Sequence, residues 1–75
     1  MKLEQAFGSV LRKKRLEKNY TQEALAHSCK VDRTFIGLLE RSKRQPTITT
    51  IFKLCKALDV KPSEIFIEIE SMVDL

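Results

Sequence analysis

Apolar residues recur along this chain at helical spacing almost from end to end. Leu3, Phe7, Val10 and Leu11 fall at i, i+4, i+7 and i+8, one stripe of a helix running to about Lys18. Asn19 and Tyr20 close it. Thr21 suits the N-cap of a second helix from Gln22 to Ser28, with Leu25 and Ala26 facing inward. Asp32 is the next N-cap, opening a helix from Arg33 to about Arg41 with Ile36 and Leu39 inward. A polar loop, Ser42 to Pro46, follows. Thr47 then caps a fourth helix whose Ile48, Ile51, Leu54, Cys55 and Leu58 form another stripe. Pro62 suits the first position of a fifth helix ending near Val73, and Glu64 favours the positive end of its dipole. Ile65, Phe66, Ile69 and Met72 share one side of that helix, with Ile67 and Val73 off the stripe. Two glycines, two prolines and no alternating run leave strands little to start from. The expectation is a compact, all-α domain of five helices.

Seventy-five residues allow one domain, spanning 1–75. A chain this short buries only about 60% of its unfolded surface and needs close packing, a staple or a partner. Two cysteines and one histidine supply neither a disulfide framework nor a four-ligand zinc site. Cys29 and Cys55 lie within apolar-periodic segments and read as small buried hydrophobes in a reducing cytoplasm. The longest apolar run, Phe35 to Leu39, is far short of a membrane span or a signal-peptide core. A charged fraction of 32% beside ordinary aliphatic content argues against disorder. No catalytic pair, carboxylate dyad, phosphate loop or ligand set around His27 stands at a suggestive spacing, so no enzyme, metal, cofactor or small-molecule ligand is expected.

Charge is uneven. Residues 1–61 hold all 14 Lys and Arg against six acids, a net of +8, whereas residues 62–75 hold four acids and no base. A basic body with an acidic end suits a polyanion on one face, or plain solubility.

The segment Gln22 to Arg41 narrows this choice. Two short helices joined by a tight turn must cross steeply, which dictates residue types at fixed offsets. Leu25, Val31, Ile36 and Leu39 fill the wedge between them, and Ala26 must be small where the second passes over it. The alternative is a generic helical hairpin. With Arg15, Thr21-Gln22-x-x-Leu25-Ala26, Ile36-x-x-Leu39-Glu40, Pro46 and Ala57-Leu58-x-Val60, the chain resembles the lambda-repressor-like, Cro-type (xenobiotic-response-element) helix-turn-helix regulators from about Phe7 to Phe66. Asp32 to Ile36 followed by Glu40-Arg41 looks most like the controller proteins of restriction–modification systems. Two features depart from the family: Lys30 replaces the usual turn glycine, and Glu40-Arg41-Ser42 stands where Glu-x-Gly is common.

The resemblance implies a helix-turn-helix at helices two and three, double-stranded DNA as partner, and Gln22 on a phosphate. Arg33 and Thr34 open the recognition helix, where arginine pairs with guanine and threonine meets a thymine methyl or donates a hydrogen bond. Arg33 on a phosphate is the plainer alternative. Gly37 and Leu38 are expected on the same outward face, Gly37 permitting close approach of the duplex and Leu38 packing on thymine methyls. Phe35 lies between faces, against the backbone of the DNA or partly in the core. Arg41, Lys43, Arg44 and Gln45 form a basic loop suited to gripping phosphates, with a solvated cluster as the plain reading. Arg12, Lys13, Lys14 and Lys18 are more ambiguous, since only part of the first helix can face DNA. Arg15 and Glu40 resemble the family's structural ion pair. The fifth helix, about 62–73, is expected to contribute a homodimer interface through Ile65, Ile67, Ile69, Met72 and Val73, with Phe66 on the protomer core. The function expected is a homodimeric transcriptional regulator on a pseudo-palindromic operator. An autoregulating antitoxin, or a protein-interaction adaptor using the same fold, is the alternative.

Overall fold

The computed structural model describes residues 1–74. Five helices follow in order: α1 Leu3–Glu17, α2 Gln22–Cys29, α3 Arg33–Glu40, α4 Ile48–Leu58 and α5 Pro62–Met72. Each lies within about a residue of the periodicity reading. The starts are where local chemistry places them. Thr21 Oγ1 accepts the Ala24 N–H at 3.0 Å, Asp32 Oδ1 that of Thr34 at 3.0 Å, and Thr47 Oγ1 that of Thr50 at 3.1 Å. Pro62 takes the first turn of α5, where a missing N–H costs nothing.

The ends of α1 to α4 share one device. Asn19, Lys30, Ser42 and Asp59 each adopt a positive φ, from 56° to 64°. After each, the next residue's N–H reaches back into the last turn: Tyr20 to the Arg15 carbonyl, Val31 to Ala26, Lys43 to Leu38 and Val60 to Cys55. These are Schellman closures, and Tyr20, Val31 and Val60 then pack on the core. Lys30 therefore does occupy the left-handed turn position, at φ 58°.

Neither glycine is in a turn. Gly8 sits inside α1 where it crosses the end of α3. A Cβ there would stand 2.7 Å from the Leu39 carbonyl oxygen and 2.8 Å from that of Glu40. The missing side chain is what lets α1 seat α3 this closely.

The core gathers both halves of the helix-turn-helix. Leu25, Ile36, Leu39 and Leu54 are fully buried, with Phe7, Val10, Leu11, Ala26, Ile51 and Leu58 around them. Truncating one such leucine to alanine costs about 2–5 kcal/mol. α3 packs on α1 and α2, α1 also on α5, and α2 on α4. Cys29 and Cys55 are buried free thiols, and burial pushes both thiol pKa values up, which keeps them protonated.

Three stripe positions depart from expectation. Leu3 is 50% exposed, Ile48 74% and Phe66 47%. Leu3 and Ile48 are the first residues of their helices, where the stripe runs past its packing partner. Phe66 lies beside the Ile65–Ile69 line that docks, and with Leu3, Ile67 and Val73 lines a shallow apolar depression.

Candidate nucleic-acid interface

Arg33 and Thr34 stand exposed on the first turn of α3, held by the Asp32 cap. Phe35 is half-buried against the core. The Arg44 guanidinium lies over its ring, 5.7 Å from the centroid. That contact folds the loop after α3 back onto the start of the recognition helix.

Behind α3, Arg15 of α1 reaches Glu40 with two hydrogen bonds, Nε to Oε2 at 2.7 Å and Nη2 to Oε1 at 3.0 Å. Its Nη1 donates to the Tyr20 carbonyl at 2.8 Å. The side chains are only 9% and 3% exposed. The hydrogen bonds to Glu40 raise the Arg15 pKa over the opposing effect of burial. Gln22 joins them, Nε2 donating to Glu40 Oε1 at 3.2 Å. Three helices thus meet on one carboxylate. Among the described residues, no buried side-chain nitrogen or oxygen lacks a hydrogen-bond partner.

Gly37 does not lie on the outward face. It is buried, because the side chains of Gln22 and Arg41 cover it. Leu38 is half-buried rather than exposed. Arg41, Lys43 and Arg44 are exposed, whereas Gln45 Nε2 is tied to Glu4 Oε2 at 2.9 Å, at the start of α1. Gln22, Arg33, Thr34, Arg41, Lys43 and Arg44 thus belong to the two helix starts and the loop after α3. Lys13 and Lys14 pair instead with Glu68 of α5, each Nζ 3.3 Å from its Oε1.

Ile65 and Ile69 are 3% and 5% exposed, buried within the protomer itself. They face α1 and α4, so they are not available to a second chain. Ile67 is 67% exposed, while Met72 and Val73 are half-buried. The sequence reading missed a second apolar surface. Ile48 and Phe52 (56% exposed) line a groove with Val60 and Pro62, flanked by Lys53 and Lys56. Its signal was Phe52, which falls off the α4 stripe.

Among the described residues, no cluster of His, Cys, Asp and Glu could hold a metal ion, and no helix is long and apolar enough to cross a membrane.

Comparison with known proteins agrees with this geometry. A helix-turn-helix family profile matches residues 11–65. Control protein C.BamHI of Bacillus amyloliquefaciens is 42% identical over 60 residues, 79% of this chain and 74% of that protein. The restriction–modification controller C.AhdI of Aeromonas hydrophila superposes with a TM-score of 0.81 at 40% identity, over 84% of this chain and 96% of that one. The controller C.Esp1396I, as a tetramer in complex with its natural 35 base-pair operator, gives a TM-score of 0.85 at 35% identity, over 95% and 93% of the two chains. A buried Arg15–Glu40 pair behind an open recognition helix, in a chain this similar to control proteins, makes it a member of the Cro-type helix-turn-helix family, with restriction–modification controllers among its relatives.

Proposed function

We propose that this protein is a restriction–modification controller: a transcriptional regulator in the cytoplasm that binds a pseudo-palindromic operator as a homodimer. The observation that carries the reading is Arg33 and Thr34, open on the first turn of α3, flanked by Gln22 at the start of α2 and by the basic loop Arg41–Arg44. The first pair reads base edges; the flanking groups bind phosphates and set the register. Helix dipoles at the starts of α2 and α3 add to the attraction for the polyanion.

The two-fold partner sits on the groove of Ile48, Phe52, Val60 and Pro62. α4 begins directly after the basic loop, so pairing there keeps both recognition helices on one side of the DNA. Two recognition helices related in this way would address half-sites about one turn apart, roughly 34 Å. The exposed acids Glu64 and Glu70 of α5, and Asp74 beyond it, make no contact with phosphates in this arrangement.

Selection of binding sites from random DNA tests the reading. The expected product is a two-fold symmetric site, in which Arg33→Ala loses preference at one base pair per half-site and Gln22→Ala weakens all sequences alike. Absence of any enriched sequence overturns it. Sedimentation tests the interface: Phe52→Glu gives a folded monomer and Ile67→Glu leaves the dimer intact. The reverse pattern moves the interface to α5.

A further inference from the structure

Gly37 stands in the middle of an eight-residue helix, where glycine is a poor choice for helix stability. Its place is explained by what lies over it. A Cβ there would sit 3.3 Å from Arg41 Nη1, 3.9 Å from Arg41 Cζ and 3.6 Å from Gln22 Oε1. Arg41 is four residues on, and helical side chains lean toward the N-terminus, so it folds back over position 37. Gln22 arrives from the other side. Its Nε2 is anchored on Glu40 at 3.2 Å and its Oε1 lies over Gly37, and of the two hydrogens a primary amide carries, one remains for another acceptor. Glu40 is itself held by Arg15 at 2.7 Å.

We infer that Gly37 is a positioning residue of the DNA interface: the space left by its absent side chain seats the Arg41 guanidinium beside the Gln22 amide, so that both reach one stretch of phosphate backbone. Gly37 itself does not meet the duplex, because these two side chains cover it. The inference rests on the DNA-binding reading above. It separates two roles for a small residue at this place, room for the DNA and room for two side chains of the protein.

The geometry sets a graded expectation. The atom nearest an added Cβ is the far end of a flexible arginine, which can give by a few tenths of an ångström. Gly37→Ala therefore retains or raises the unfolding temperature, since alanine favours the helix, and weakens binding by about twofold, a fraction of one lost contact. Gly37→Gln fills the seat and displaces Arg41. It weakens binding about tenfold, the weight of one charge-assisted hydrogen bond.

The test is a double-mutant cycle in which the duplex recovered by selection is the probe and a scrambled duplex of equal length the control. Affinity, its salt dependence and thermal stability are measured for Gly37→Gln alone and in an Arg41→Ala background. The expected result is a loss confined to the wild-type background. The log–log salt slope should flatten by about one unit per protomer in Gly37→Gln, as in Arg41→Ala. An equal loss in both backgrounds would show direct contact of position 37 with the duplex and overturn the inference alone. An unchanged affinity, or a loss of affinity that tracks a loss of thermal stability, also overturns it. No binding of any duplex by the wild type at low salt overturns the DNA-binding reading and this inference with it.

Discussion

The Glu40 carboxylate accepts two hydrogen bonds from Arg15, at 2.7 and 3.0 Å, and a third from Gln22 at 3.2 Å. One acid on the last turn of α3 thus binds α1 and α2 to the recognition helix. Glu40→Ala strands the Arg15 guanidinium in a site where its side chain is 9% exposed. The expected cost is about 3–5 kcal/mol, a large share of the stability of a domain this size. Urea denaturation measures it. Operator affinity falls as well, although Glu40 touches no DNA in this reading. A Glu40→Ala protein with wild-type stability would remove the pair from the account of the fold.

The two glycines should answer oppositely to the same substitution. Gly8→Ala drives a Cβ against backbone oxygens, 2.7 Å from Leu39 and 2.8 Å from Glu40, which cannot swing aside. It should destabilise by about 1–3 kcal/mol, as overpacking does, lowering the unfolding temperature by roughly 4–8 °C per kcal/mol. Gly37→Ala should not lower it. Equal shifts in calorimetry would contradict the contrast.

Lys30 and Asp59 hold the left-handed conformation at φ 58° and 56° without being glycine. Lys30→Gly is expected to stabilise by about 1 kcal/mol, since the Cβ clash disappears while the backbone bond from Val31 to Ala26 stays. Asp59→Gly should behave alike. A lower denaturation midpoint for both would show that the side chains contribute more than the backbone strain they impose.

Lys14 and Glu68 link α1 to α5. The hydrogen bond to Glu68 raises the Lys14 pKa. Burial pushes the Glu68 pKa up, but the hydrogen bonds and charges of Lys14 and Lys13 outweigh it and leave the carboxyl below its usual range. The lowered Glu68 value gives stability that is complete above the unfolded value of about 4.3 and is lost as pH falls through the folded value. The raised Lys14 value gives stability complete below about 10.4 and lost as pH rises through the folded value. Glu68→Gln should therefore narrow its difference from the wild type at both extremes, and at high salt, because the groups are near solvent. A difference independent of pH and salt would mean that Glu68 acts by packing alone.

The helix starts and the inward stripes were legible in the sequence, because both depend on neighbours one turn away. Thr21, Asp32 and Thr47 cap N–H groups two or three residues on, and Leu25, Ile36 and Leu39 are buried as their spacing predicts. The Arg15–Glu40 pair came from resemblance to a family, since no local rule joins residues 25 positions apart. Tertiary structure alone decided the rest. The fate of Ile48, Phe66 and Ile69 depended on where each helix meets or outruns its neighbour; periodicity places all three on or beside a stripe and cannot say where packing stops. The sequence reading took no account of Gly8 and expected Gly37 to face the DNA. What surrounds them, the backbone at Leu39 and Glu40 and the side chains of Gln22 and Arg41, arrives from other helices or folds back within one. A turn or cap is settled by dihedral preferences and bonds over a few residues. A close crossing is settled by which surfaces interlock once distant segments share the same space.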